Sequence, residues 1–317
     1  LQACIRSADN ADFLSKIPEP LLPDNSELAF FCPLPDNSNE LLCVSSKSDI
    51  PHNSATVRAI ITEAGSDKPG KPVEMSFLKP LGSDSIPGLS NLPGGYSLRA
   101  VFGIPAGINW NALTDMAAGS LDTQSQGLLQ SLLPYMSQLD GPLAIGIGPF
   151  GFSNMTDDRL EAQTIYISAT FQPGKALDIV EEINGNLREK GITPRPGANG
   201  IYAFNLNGTK YRYTVRGNEF IFAQNREIEE SWNSELNIDP QMTGAVSLML
   251  PPLRDIIPDA PSDNSISAAL KMTATEIEMT VTCTAGSPLT AFATYFETLG
   301  TALRNLEQSN EDYFDTY

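Results

Sequence analysis

The sequence contains a single histidine, His52, among 317 residues, and this scarcity excludes much chemistry. A zinc helix of the H-E-x-x-H type needs two histidines, multi-histidine metal sites need more, and only one Ser–His pair could form. His52 falls in the polar run Ile50-Pro51-His52-Asn53-Ser54, read as an exposed loop, and no G-x-S-x-G elbow occurs anywhere. Cysteine is sparse as well: Cys4, Cys32, Cys43 and Cys283 include no C-x-x-C pair and are too few for a disulfide framework. Long hydrophobic runs are missing. The longest, such as Leu28 to Cys32, fall far short of the roughly 18 apolar residues of a membrane-spanning helix. Basic residues are in deficit, with 20 Lys and Arg against 38 Asp and Glu for a net charge of −18. Such a chain repels phosphate backbones and anionic lipid surfaces, so nucleic acid is not an expected partner.

Two glycine patterns imitate nucleotide sites and fail on inspection. Gly146-Ile147-Gly148-Pro149-Phe150-Gly151 has the G-x-G-x-x-G spacing after a predicted strand. A dinucleotide site also needs a helix to open at once, with its N-terminus facing the pyrophosphate. The following Phe152-Ser153-Asn154-Met155-Thr156-Asp157-Asp158 is loop-like and anionic instead. Gly65-Ser66-Asp67-Lys68-Pro69-Gly70-Lys71 matches a P-loop until its eighth position, where Pro72 replaces the Ser or Thr that holds Mg²⁺. Asp157, Asp158 and Glu161 do not follow the spacing of a calcium loop. No cofactor or metal site is read from the sequence. Carboxylates are plentiful, but no motif picks out a glycosidase-like acid pair.

What is present is a globular composition: 41% apolar residues, with 24 Gly and 24 Pro gathered into turn-rich stretches. Leu1, Cys4, Ile5, Ala11, Leu14 and Ile17 recur at helical spacing, which competes with a reading of Leu1-Gln2-Ala3-Cys4 as a lipidation site. The helix is the preferred reading of the two. Pro18 to Pro23 ends it. Leu28 to Cys32 and Leu41 to Val44 read as two strands about the loop Pro35 to Glu40. If that hairpin is centred between Asn37 and Ser38, paired residue numbers sum to 75, and Cys32 faces Cys43 within reach of a disulfide. The rival reading keeps the two as buried thiols, since a slip of one residue sends them to opposite faces. Ser45 to Asn53 reads as polar loop, and Val57 to Thr62 as a short strand.

From Tyr96 onward a β-α-β-β-α order is read twice. Strands at 96–104, 143–147 and 163–171 surround helical segments at 110–139 and precede a helix at 175–190, stopped by Gly191. Strands at 245–250, 267–272 and 276–283 and helices at 253–257 and 288–306 repeat the order. Tyr166-Ile167-Ser168-Ala169-Thr170-Phe171-Gln172-Pro173-Gly174 matches Glu278-Met279-Thr280-Val281-Thr282-Cys283-Thr284-Ala285-Gly286 at the strand-to-helix join. Between the two lies a three-stranded meander, 201–206, 210–216 and 219–223, joined by Asn207-Gly208 and Gly217-Asn218. The fold class expected is α+β: antiparallel sheets with helices packed on one face, two related units, and the meander inserted between them. The expected domains are 1–94, 95–240 and 241–317.

Period-two counting places Tyr202, Phe204, Tyr211, Tyr213, Phe220 and Phe222 on one face of the meander. Lys210, Arg212 and Arg216 fall on the other. The aromatic face reads as core beneath the 175–190 helix, or as a sugar-stacking platform. The basic face suits an acidic partner or the protein's own carboxylates.

The paired units, the Trp110 helix start and the run Leu139-Asp140-Gly141-Pro142-Leu143-Ala144-Ile145-Gly146-Ile147 resemble an uncharacterised family of Bacteroidetes cell-envelope lipoproteins. The resemblance covers roughly residues 96 to 306. It implies export to the periplasm or outer-membrane surface, membrane contact only through a lipid anchor, and no assigned activity. The expected function is a non-catalytic envelope protein binding a glycan or a protein; the alternative is a hydrolase with an acid pair that the sequence does not locate.

Overall fold

The computed structural model describes residues 28–34, 37–63, 72–73, 78–81, 96–110, 133–148, 164–206, 208–228, 241–250 and 265–284. It also describes residues 287–301 apart from Leu289, Phe292, Phe296 and Leu299. The strands are β1 (Leu28–Leu34), β2 (Asn37–Asp49), β3 (Ser54–Glu63), β4 (Leu98–Ile104), β5 (Leu139–Gly148) and β6 (Thr164–Phe171). After the helix α1 (Lys175–Glu189) come β7 (Arg195–Pro196), β8 (Tyr202–Leu206), β9 (Thr209–Arg216) and β10 (Glu219–Gln224). The last strands are β11 (Gly244–Leu250), β12 (Ile266–Met272) and β13 (Glu276–Cys283), and helical residues recur between Pro288 and Thr301. The predicted helix at 1–17, the turn at 253–257 and most of the helical segments at 110–139 lie outside the described residues.

This architecture corrects the α+β expectation. Long antiparallel ladders dominate the described residues, and the fold is a β-sheet fold rather than sheets clad in helices. One difference is β2, which runs through Ser45 to Asp49 where the sequence reads as loop. Ser45 is buried within this stretch, and β3 supplies the backbone partners that make a polar stretch a strand.

The chain divides into two compact units, the first from Leu1–Met75, Phe150–Thr156 and Val246–Tyr317, the second from Ser76–Pro149 and Asp157–Ala245. N-terminal and C-terminal segments that the sequence reading kept in separate domains thus share the first unit. Its strand order is β11-β12-β13-β3-β2-β1, and that of the second unit is β4-β5-β6-β10-β9-β8-β7. The two orders have the same connectivity. In each, three successive strands lead into a helix, and the third strand pairs with the last strand of a separate three-stranded meander.

The registers make the correspondence residue by residue. β6 and β13 are each eight residues long and align Ala169 with Val281 and Phe171 with Cys283, all four buried. Ala223 stands opposite Tyr166, and Arg58 opposite Glu278, so β10 aligns with β3. The next pairings align Arg212 with Ser45 and Ala203 with Ala29. In that alignment Pro194, Asn199, Ala203 and Phe204 meet Pro20, Asn25, Ala29 and Phe30. The meander at 202–224 is therefore not an insertion. It is the counterpart of β1–β3, and the chain is a tandem repeat in which each copy gives its first meander to the unit completed by the other.

In the second unit one sheet face packs on α1, where Ala176 and Ile179 meet Ala169, Phe171, Ile104 and Leu139. The opposite face buries Tyr96, Val101, Ala144, Tyr166, Ile221 and Ala223. The first unit buries Leu250, Ile266, Val281, Cys283 and Tyr295. α1 ends in a Schellman arrangement, with Gly191 at φ 76° and the Ile192 N–H donating to the Leu187 carbonyl at 2.8 Å.

The nucleotide-like glycines have a packing role. A Cβ on Gly146 would lie 2.9 Å from the Tyr96 ring, and one on Gly148 would lie 2.6 Å from the Ser97 nitrogen. Gly146 and Gly148 let the chain at 96–97 lie directly on β5.

The cysteine hairpin is also corrected. Cys32 pairs with Leu42, and Phe31 with Cys43, so paired numbers sum to one less than expected. The register shifts between Pro33 and Leu34, where Leu34 pairs with Asn37, and leaves extra residues on β2. In this register Cys32 and Cys43 do not stand opposite each other. Cys43 is a free, buried thiol with its Sγ 3.9 Å from the Thr62 hydroxyl, and burial raises its pKa.

Candidate functional site: the aromatic and cationic edge of the second unit

The meander closes on turns that need left-handed backbone, with Gly208 at φ 88° and Gly217 at φ 63°. Its register sets Tyr202 against Tyr213 and Phe204 against Tyr211, and the rings follow. Tyr202 and Tyr213 stack at 5.3 Å with 10° between planes; Phe204 and Tyr211 stack at 4.9 Å with 16°. Tyr211 and Phe222, and Tyr213 and Phe220, continue the contacts toward β10 at 6.1 and 6.4 Å.

Burial differs along this face. Tyr213, nearest α1, is 1% exposed and donates its hydroxyl to Asn184 Oδ1 at 2.6 Å. Tyr202, Phe204, Tyr211 and Phe222 are half-buried. Stacked upright in cross-strand pairs, Tyr202 and Phe204 each turn one ring face inward onto β9 and the other toward the sheet edge. At that edge β7 pairs only with Tyr202 and Ala203, so among the described residues no strand stands beside Phe204.

Burial pushes the Tyr213 hydroxyl up to about 12, reinforced by Tyr202 and opposed by Arg188 of α1. The sequence reading did not single out Arg188; its helical phase could have shown that it follows the apolar face by one residue. The neutral phenol is the folded form. Its contribution is full below the ordinary tyrosine value of 10.0 and is lost as pH rises from there to about 12. Tyr213→Phe is expected to cost about 1–2 kcal/mol at neutral pH, because Asn184 Oδ1 is left buried without its donor. It should also flatten the loss of stability above pH 10.0. Denaturant titrations across that range check both, and an unchanged alkaline slope would refute the assignment.

Lys210, Arg212 and Arg216 sit on the opposite face, so the cations and the rings are not brought together over one surface. Arg212 donates from Nη1 to the Arg226 carbonyl at 2.9 Å and pairs with Glu227 through Nη2. Lys210 is exposed, its backbone fixed by Asn225 through an N–H···Oδ1 bond of 3.2 Å. Arg216 ends β9, also exposed. His52 is 77% exposed with Nδ1 at 2.8 Å from Asp49 Oδ2. In the first unit Glu276 and Glu278 converge on Arg58, which joins them across the β3–β13 ladder. Among the described residues no group of His, Cys, Asp and Glu gathers as a metal site requires, and no helix is long and apolar enough to cross a membrane.

The repeat supplies an internal control for this edge. Tyr202, Phe204, Tyr211 and Tyr213 align with Leu28, Phe30, Val44 and Ser46, and Lys210, Arg212 and Arg216 align with Cys43, Ser45 and Asp49. The same ladder therefore forms without three of the four rings and without any of the three cations. Fold and edge together define a class: an antiparallel β-sheet protein built as an exchanged tandem repeat, with one aromatic and cationic edge. Comparison with family models, curated proteins and solved structures finds no match.

Proposed function

We propose that the chain is a non-catalytic binding protein of the cell envelope, and that its ligand is a glycan that stacks on the rings along β8. The observation that carries this reading is Phe204, whose inner face rests on Tyr211 while its outer face meets the open part of the sheet edge. Sugar rings present apolar C–H faces that pack against such an aromatic plane, and the flanking Asn205 and Leu206 are exposed. The internal control supports a role beyond folding for Tyr211 and Tyr202. Envelope location follows from the family resemblance.

The test is titration of the full chain with a panel of soluble polysaccharides. Phe204→Ala is expected to weaken glycan binding by about tenfold, the loss of one stacking contact and its buried area. A wild-type chain that binds no glycan, or a variant that binds unchanged, would overturn the reading.

A further inference from the structure

The face of the meander opposite the rings carries a second arrangement that the glycan reading does not use. Arg195 on β7 pairs with Ala203 on β8, and Ala203 pairs with Arg212 on β9. Paired residues share a face, so two arginines flank one alanine across three strands, about 10 Å apart at Cα from the usual strand spacing. The next rung sets Lys210 against Asn205 on the same face. Together they form a shallow trough floored by Ala203, walled by Arg195 and Arg212, and closed at one end by Lys210 and Asn205. Arg212 is held in place by Glu227 and the Arg226 carbonyl. Arg195 and Lys210 are exposed, and neither makes an ion pair with any described residue.

Unpaired cations are unexpected in this chain. Residues 195–228 hold five of the 20 Lys and Arg but two of the 38 Asp and Glu, one of which, Glu227, holds Arg212. A polyanion is repelled by most of the molecule and attracted to this segment, which focuses binding rather than spreading it. The repeat shows that the trough is an addition. Ala203 is matched by Ala29, whereas Arg195, Arg212, Lys210 and Asn205 align with Leu21, Ser45, Cys43 and Phe31.

Resting on the glycan reading above, we infer that the ligand is an anionic glycan, whose carboxylate or sulfate groups are taken by the exposed Arg195 and Lys210, beside an Arg212 already held by Glu227. The trough and the rings share strand β8, so a polymer that folds over the sheet edge meets Phe204 on one side and the cations on the other. Guanidinium groups bind planar oxyanions through paired N–H donors, and Asn205 offers both a donor and an acceptor to sugar hydroxyls.

The experiment measures binding of the full chain to dextran, dextran sulfate and polygalacturonate, with Arg195→Gln/Lys210→Gln and Phe204→Ala beside the wild type. The wild type should bind at least one charged polymer and not dextran, and added salt should weaken binding. The double variant should bind about tenfold more weakly, as expected for losing charge-assisted hydrogen bonds. The two charged polymers distinguish carboxylate from sulfate recognition. Binding to dextran as strong as to dextran sulfate would overturn the anionic class and leave the glycan reading intact. Charged-polymer binding unchanged in the double variant would overturn the trough. No binding to any of the three, with none gained or lost in Phe204→Ala, would overturn this inference and the glycan reading together.

Discussion

Replacing Gly103 with alanine should destabilise the protein by about 3 kcal/mol or more, at the upper end of what overpacking costs. Gly103 lies in β4 opposite Pro142, with chain segments crossing it on both sides. Its N–H donates to the Thr243 carbonyl at 2.8 Å, and its carbonyl accepts from the Lys79 N–H, also at 2.8 Å. A Cβ would lie 2.0 Å from the Lys79 carbonyl oxygen and 3.0 Å from its carbon. The obstacle is backbone and cannot rotate away. Leu81 N–H is bonded to the Met242 carbonyl at 2.8 Å, so the segment is tied two residues further on. Relief of the clash must break the Lys79 bond or shift β4, and with it Val101, which is fully buried. Gly185, inside α1 with nothing within 4 Å of its Cβ position, is the control. Gly185→Ala should stabilise by about 0.5–1 kcal/mol through helix propensity and the unfolded chain. Urea titrations of both variants check the pair. A Gly103→Ala cost below about 1 kcal/mol would mean that the crossing segment is not seated as described.

The features legible in the sequence are those fixed by local chemistry. Asn207-Gly208 and Gly217-Asn218 specify the turns of the meander, and Gly191 specifies the end of α1, because few other residues accept those backbone angles. Period-two counting places the rings and cations on opposite faces, since alternation is a property of the strand itself. The strand-to-helix joins at 166–174 and 278–286 expose half of the repeat. The other half stayed hidden because β1–β3 keep the ladder of β8–β10 while replacing tyrosines and cations with Val44, Ser46, Cys43 and Ser45. Pairing between remote segments, such as β3 with β13, leaves no local trace at all. For the same reason Ser45 to Asp49 reads as loop until β3 is placed beside it. The cysteine register failed on the shift at Pro33, which no turn residue announces. The candidate site was legible as a set of faces but not as an edge. The exposure of Phe204 depends on β7 being two residues long, and the trough depends on Arg195 joining β8.

Each copy of the repeat contributes strands to both units, and a single cut tests this exchange. A protease site introduced after Thr193, an exposed residue between α1 and β7, separates the copies without touching a strand. After cleavage the first unit draws β1–β3 from one fragment and β11–β13 from the other. The second unit draws β4–β6 and α1 from one and β7–β10 from the other. The β3–β13 ladder spans seven residue pairs and the β6–β10 ladder spans six, so each unit is closed by an antiparallel ladder between fragments. A cysteine pair at Thr56 and Thr280, whose hydroxyl oxygens lie 3.4 Å apart in register, offers a covalent check. The measurement is size-exclusion chromatography of the cleaved chain under native conditions. The predicted result is a single folded species at the mass of the intact protein, with Thr56→Cys/Thr280→Cys linking the fragments on oxidation. Two separately folded fragments, each eluting on its own with native strand content, would contradict the exchange.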